Sequence, residues 1–514
     1  MKVPSARRTV LSRANVVSPS RGSLGLSDIL ISESGAIESI SQHRTANRWP
    51  DASRVLDLGG STVVPGLVDA HYHMLSTGIQ LLSLDLAMAS SIGEVLELLQ
   101  TAATHSVTDW VVAGHLDEDR LREARLPTLA ELDKALPRRP VLVDHRSLHF
   151  ALCNTEAIRR LRLPQLEQSR GVLRGQSLGL ARGRVMKAQG PKYVEEVLRA
   201  ASRAAAQRGA TTIHAMEGGS LFGDLGLDVL DRIRDTLATD VVVYWCVTDV
   251  ARAQEKGYGQ VGGDVLVDGT LGSRTAALRN PYSDEAGSRG LLYLTEEQLG
   301  DFFSAAARSG LQPAVHVIGG RAIEVALRGI AKASQEVDGN IRWRLEHCGD
   351  VTKRQLQRAA QLGACISTQP AFTYLRGRPG GVYAQRVGEK RVRRLYPLRW
   401  MLDAGIVVSG GSDSPVTPPD SLLGLESCVN ARYSMQRTTP LEALRLFTSG
   451  AAWCAGEEAT KGDLAPGMQA DLVVLKESLL VCKPAHIHEI EIQLVMRRGR
   501  SICGPLAEED TAWQ

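Results

Sequence analysis

The rhythm of apolar positions changes twice along the chain. Over roughly the first sixty residues, short runs alternate apolar and polar side chains, as in "SDILISESGAIESISQ" around Ser34-Gly35 and "RVLDLGGSTVVPG" around Gly59-Gly60. That is the period of strands broken at turns. The same texture returns at 461–504 in "KGDLAPGMQADLVVLKE" and "IEIQLVMRRGRSICG". Between these ends, continuous apolar runs at 62–70, 140–143, 211–214, 241–247, 265–267, 313–318, 343–347, 364–367 and 406–409 alternate with amphipathic stretches such as 193–208, 296–309 and 353–362. Continuous apolar runs suit strands buried on both faces, and their alternation with helices suits parallel βα units. About eight units with no midpoint break predict an α/β fold, a TIM-like (β/α)8 barrel rather than a doubly wound sheet. The β-rich ends predict a small composite β-sandwich domain built from both termini. The expected division is 1–62 and 461–514 for the sandwich and 63–460 for the barrel. Residues 75–210 are too long for one βα unit, so an insertion is expected there.

Composition narrows the class without naming it. The chain has 514 residues, 43% apolar and 23% charged, enough for several cores and too apolar for wholesale disorder. Sixty Lys and Arg against 57 Asp and Glu leave +3, with no basic run interleaved with aromatics, so no nucleic-acid partner is expected. The eight cysteines are scattered without a CxxC pair, which argues against a disulfide framework or a zinc knuckle. No long apolar run is present, so no signal peptide and no membrane span are expected, and the default location is cytoplasmic. A homodimer is the base-rate expectation.

Candidate chemistry sits at the ends of the apolar runs, where barrel enzymes carry their catalytic residues. "VVPGLVDAHYH" places His71 and His73 two apart on a strand, so both imidazoles point the same way and can serve one metal. His316 ends "LQPAVH", and His347 ends "IRWRLEH" after Glu346. In "GIVVSGGSDSPV", Asp413 follows an apolar strand, where a carboxylate can bind metal and accept the proton of an attacking water; Ser-Asp-Ser-Pro is also good turn chemistry. Four imidazoles and one aspartate suit a divalent metal of the zinc type, and hence hydrolysis.

Together "PGLVDAHYH", "HVIGG", "RLEHC", "GGSDSPV" and "GDLAPGMQADLVVL" resemble the amidohydrolase superfamily. "VDGTLGSRTAAL", "NPYSD" and "STQPAF" are more narrowly similar to amidohydrolase family 3, which includes N-substituted formamide deformylases. The resemblance runs from about residue 28 to 504. It implies a metal-dependent barrel that hydrolyses C–N bonds, with His71, His73, His316 and His347 as metal ligands and Asp413 as ligand and general base.

The chain departs from that pattern in two places. Many relatives carry a lysine on the strand before the "DG" loop, where its carboxylation bridges two metals. Here the strand reads "GGDVLVDGT" and the equivalent position is Asp264, read either as a shorter bridging ligand or as a structural carboxylate at a strand start. One zinc ion is therefore expected rather than two. The pattern His-x-Ile-Gly-Asp becomes "HVIGG", with Gly320 in place of the aspartate.

Further pocket candidates are Glu217 and His214 in "TTIHAMEGG", Arg274 with Asp268 on the "DGTLGSRTA" loop, Gln369 in "CISTQP", and His149 with Asn154 in the insertion. Arg274 and Arg344 suggest an anionic or carbonyl-rich substrate. The leading expectation is a metal-dependent amidohydrolase acting on a small-molecule amide, formamide or cyclic amide. The alternatives are a superfamily deaminase acting on a ring amidine and a non-catalytic scaffold of the same fold. Purine- and cytosine-type deaminases carry a glutamate three residues after the fifth-strand histidine, and Gly319 stands there.

Overall fold

A computed structural model describes residues 7–45, 49, 51–105, 109–146, 150–162, 171–219, 223–337, 339 and 341–507. They fall into two compact units. The larger runs through His73, then Ser202–Met216, then from Asp235 on; the smaller is Met74–Ala201 with Glu217–Arg234.

The barrel belongs to the larger unit. Its eight strands follow chain order: Leu67–Tyr72, Ala210–Glu217, Asp240–Trp245, Gln260–Val261, Gln312–Val317, Arg344–His347, Cys365–Thr368 and Val408–Gly410. A parallel bridge from Tyr72 to Ser414 joins the first strand to the turn after the last. The register aligns His316 with Glu346 and Val317 with His347, which brings the histidine-bearing strand ends to one level. Strands one, six and seven are buried along their whole length, as both-faced burial requires. Helices with apolar faces follow: Glu296–Arg308 and Lys353–Gln361 begin in reciprocal Thr–Gln capping boxes, and Gly320–Glu336 buries Ala322, Ile323, Ala326, Leu327 and Ile330.

Both chain ends meet in one eight-stranded sheet. Thr62–Pro65 pairs antiparallel with Leu472–Leu475, setting Val63 against Val474, and also joins Thr9–Ser18. The sheet encloses Leu11, Val16, Ile29, Ile31, Val63, Leu472, Val474, Leu494 and Met496. The apolar run 62–70 is thus two strands in two sheets, separated at Gly66. A Cβ at Gly66 would lie 2.2 Å from the Thr211 hydroxyl, so the chain can cross there only as glycine.

The smaller unit has a five-stranded sheet of Leu84–Asp85, Val111–Leu116, Val141–His145, Phe150–Cys153 and Val172–Arg174. Its own core contains Val95, Leu99, Val111, Leu132, Val141, Val143 and Leu152. The run at 140–143 is therefore a strand of this sheet and not of the barrel. Among the described residues, no helix is long and apolar enough to cross a membrane.

Candidate metal centre

Strand period alone brings His71 and His73 to one side, and the Asp413 turn is laced against them. The Asp413 N–H donates to His71 O (2.7 Å) and the His73 N–H to Ser414 O (3.1 Å). Asp69, buried two residues before His71, accepts from the Ser412 N–H (2.8 Å). Asp413 itself sits at φ 55°, a left-handed turn conformation that aspartate tolerates. Its Oδ1 lies 3.0 Å from His73 Nε2 and 3.5 Å from His71 Nε2.

His316 and His347 complete the ring. His347 ends its strand at φ 69°, which swings its imidazole out of the alternation of Arg344 and Glu346. The His316 and His347 ring centroids lie 4.4 Å apart, and those of His71 and His347 4.8 Å apart. Asp264 stands among all four: its Oδ1 is 3.0 Å from His316 Nδ1, 3.4 Å from His347 Nε2 and 3.9 Å from His71 Nε2, and its Oδ2 is 3.7 Å from His73 Nε2. Of its two sequence readings, a carboxylate merely bracing a strand start does not fit this placement. The run 265–267 is not a barrel strand either. The fourth strand ends at Val261, and Asp264 lies beyond it.

Each imidazole is oriented from behind, as metal-binding histidines usually are. His71 Nδ1 donates to Glu346 Oε2 (2.8 Å), His73 Nδ1 to Met216 O (3.1 Å), and His347 Nδ1 to Gln369 Oε1 (2.6 Å). His316 Nε2 donates to Gly269 O (3.3 Å), which leaves Nδ1 inward. Glu346 is held in turn by Arg344 (2.5 Å), whose guanidinium lies over Tyr244 (4.2 Å) and donates to His214 Nδ1 (2.9 Å) and Ala70 O. Burial pushes the Asp413 and Asp264 carboxyls up, but the imidazoles outweigh it and hold both below the ordinary range. Burial depresses His316 while Asp264 raises it, to a net of about 8.

His71 Nε2 and Asp413 Oδ1 are both buried and have no hydrogen-bond partner. With Nδ1 as the donor, His71 Nε2 turns a lone pair to Asp413 Oδ1, and two buried acceptors facing each other are costly unless a cation sits between them. The donor set is nitrogen and oxygen without thiolate, which suits a divalent cation of the zinc type, and the residues fit one.

Other expected pocket residues fall elsewhere. Arg274 is held by Asp284 in a bidentate pair (3.1 and 3.0 Å), which ties it to its own loop. Arg344 is fully buried on Glu346 and cannot greet a substrate. Asp268 accepts from the N–H groups of Ala277, Ile318 and Gly319. Asn154 caps the helix Thr155–Leu161 and ties Val141, Leu136 and Arg139 together, a structural role in the smaller unit. Glu217 accepts from the Leu75 N–H (3.1 Å). Gln369 is brought to the site as the partner of His347, and its Nε2 is left unpaired. His149 lies outside the described residues. Gly320 has a local cause: a Cβ there would fall 2.9 Å from Asp350 O and from Arg279 Nε, because Arg279 pairs with Asp350 (3.0 Å) in that space.

Sequence reasoning pointed Arg344 toward a substrate and gave no role to Glu346 or to the aromatic wall of Phe372, which stacks on His347 at 6.2 Å, and Tyr396, which meets Phe372 edge-on at 5.7 Å. Strand alternation signals that Arg344 and Glu346 share a face, but not that His71 is their partner.

This centre, at the carboxyl ends of the strands of a closed parallel barrel, defines a metal-dependent hydrolase. Residues 54–503 match the model of the amidohydrolase family, and the chain belongs to that family. It is 27% identical over 481 residues to the putative amidohydrolase YtcJ of Bacillus subtilis, covering 87% of this chain and 90% of that one. It is 24% identical over 503 residues to the N-substituted formamide deformylase of Arthrobacter pascens, covering 86% and 88%. An uncharacterized metal-dependent hydrolase from Pyrococcus furiosus superposes with a TM-score of 0.79 at 27% identity, covering 92% of this chain and 99% of that one.

Proposed function

We propose that the protein hydrolyses the C–N bond of a small amide, formamide or cyclic amide, with Asp413 as general base and then general acid. The observation that carries this is the facing pair of buried, unpartnered atoms, His71 Nε2 and Asp413 Oδ1, inside a ring of four imidazoles. His71, His73, His316, His347, Asp413 and Asp264 would hold the metal, taken to be zinc. When bound, such an ion supplies Lewis acidity that polarises a carbonyl and acidifies water.

The chain's own part is to place and move the proton. Asp413, ionised at neutral pH, takes the proton of the attacking water on its carboxylate and returns it to the leaving nitrogen. Gln369 and Glu346 keep His347 and His71 in one tautomer throughout. Phe372 and Tyr396 supply an apolar wall beside His347, which excludes water on that side. A formamide reading draws support from the deformylase relative. A deaminase of the purine type is disfavoured, since a side chain at Gly319 would start 2.2 Å from Ala277 O. The scaffold alternative is disfavoured because the ligand positions expected from the sequence converge. All eight cysteines are free thiols, which supports a reducing, cytoplasmic setting.

The test is a panel of N-substituted formamides, N-acyl compounds and cyclic amides offered to the purified protein before and after chelation. Release of amine that stops on chelation and returns with zinc is expected. Turnover indifferent to chelator, or none across the panel in metal-loaded protein, would sink the proposal.

A further inference from the structure

The two arginines that the sequence pointed toward a substrate, Arg274 and Arg344, each hold a carboxylate of the chain, as do Arg279 and Arg386. Arg376 does not. Among the described residues its partners are the Val416 carbonyl, to which Nη2 donates (2.5 Å), the Phe372 ring, 5.7 Å from Cζ, and the Tyr383 side chain. None of these is a carboxylate, although Arg376 is half-buried. A guanidinium withdrawn from water has five N–H groups to satisfy and a charge to offset.

Local spacing puts this group beside the metal centre. On the helix Pro370–Arg376, Phe372 and Arg376 are four residues apart and lie on one face. Phe372 also stacks on His347 at 6.2 Å, so the guanidinium and the imidazoles flank one aromatic ring and a single small molecule can reach both. From the other side, Val416 ties Arg376 to the catalytic turn, because the Val416 N–H donates to Asp413 O (2.7 Å). The Asp413 carboxylate does not answer the guanidinium; its Oδ1 is turned to His73 and His71.

Two phenols join the arginine. Tyr383 and Tyr396 are buried in one apolar cluster with Phe372, and the Tyr396 hydroxyl has no hydrogen-bond partner. Both side chains lie within electrostatic reach of Arg376 and Asp413, which sets them on the side of the centre. Gly349, two residues past His347, leaves room for Tyr396: a Cβ there would lie 3.0 Å from its Cζ and 3.2 Å from its hydroxyl. One permanent cation and two hydroxyls thus face the centre without an anionic acceptor of the chain's own. A guanidinium fork suits the two oxygens of a carboxylate, and charge favours that group over a neutral carbonyl.

We propose that Arg376, with the hydroxyls of Tyr383 and Tyr396, sets the specificity of this centre, and that the substrate is an amide bearing a free carboxylate, as an N-formyl or N-acyl amino acid does. This narrows the amide-hydrolase reading above and rests on it. It moves the expected contact with an anionic substrate from Arg274 and Arg344 to Arg376.

The test uses the zinc-loaded full chain and two matched pairs of compounds. N-formylleucine and its methyl ester are compared by formate release. N-methylsulfonylleucine and its methyl ester, which offer no hydrolysable amide, are compared by titration calorimetry. In each pair the acid should be preferred by about tenfold to a hundredfold, in kcat/KM and in Kd respectively. Arg376→Met should abolish that preference through KM rather than kcat, and Arg376→Lys, which keeps the charge but loses the fork, should restore part of it. Tyr396→Phe should weaken binding of the acid by about threefold to tenfold. Should Arg376→Met fail to fold, the acid-to-ester ratio of the unaltered chain and of Arg376→Lys decides. Equal affinity for acid and ester, binding of neither, or a preference kept by folded Arg376→Met would each overturn the inference and leave the hydrolase reading to its own panel. Acid-selective binding of the sulfonyl compound without formate release would uphold the carboxylate site and count against the hydrolase reading instead.

Discussion

The two ends of the barrel use the same residue types to opposite ends. On the floor carboxylates meet permanent cations: the fully buried Glu346 faces Arg344 at 2.5 Å, and the half-buried Asp240 and Glu457 both face Lys461 at 2.9 Å. At the histidine end, the basic partners of Asp264 and Asp413 among the described residues are imidazoles alone. A buried carboxylate without a firm counter-charge costs several kcal/mol. The floor therefore carries its own permanent counter-charges, whereas the histidine end has only titratable ones, whose place a divalent cation would take. His214 and His71 make the same point: both are fully buried, but one takes a hydrogen bond from Arg344 while the other turns Nε2 to Asp413. What faces a residue separates function from structure better than its type or burial.

The contrast breaks most visibly at Asp413. Asp413→Asn should keep the fold and most of the metal while turnover falls about 10²–10⁴-fold, read from kcat and metal content on one preparation. Near-wild-type kcat would remove Asp413 as the base. On the floor, Arg344→Met should leave Glu346 buried and uncompensated, costing about 3–5 kcal/mol in denaturant unfolding, with Arg344→Met/Glu346→Gln recovering part of it. If the single change costs under about 1 kcal/mol, the floor is not the self-balanced ion pair described.

Asp471 sharpens the comparison through pH. Burial raises its carboxyl to about 6 from 3.8, against the pull of Lys461. Between those values the folded state holds the extra proton, so the associated stability is full below 3.8 and lost as pH rises through about 6. Asp471→Asn should flatten the wild-type fall in unfolding free energy between about pH 4 and 7, by roughly 2–3 kcal/mol. Equal slopes in both proteins would refute the assignment. The smallest effect belongs to Arg274→Ala. Its partly exposed pair with Asp284 is worth at most about 1 kcal/mol, and kcat/KM should change less than about threefold. A hundredfold loss would restore it as a substrate contact.

Much of the fold and of the site is legible in the order of residues alone. The switch from period two to buried apolar runs marks the barrel between two β-rich ends, because burial pattern is a local property of a strand. The two-residue spacing of His71 and His73 suffices to aim both imidazoles together. The apolar runs before them mark His316 and His347 as strand ends and put Asp413 in the turn just past one. Less is legible where a run serves two sheets, as at 62–70, or lies past a bend, as at 265–267. Hydrophobicity records that a segment is buried but not against what.

The sequence by itself marked most of the strands and helices, and it put the four histidines and Asp413 near the ends of apolar runs. Only the tertiary structure decided the partnerships. His71 meets Glu346 across 275 residues, and Arg344 turns to His214 across 130. Arg274 is paired with Asp284, and Asp264 enters the ring from beyond the end of the fourth strand. Such pairings depend on register and closure around eight strands, which bring together residues that no local period relates.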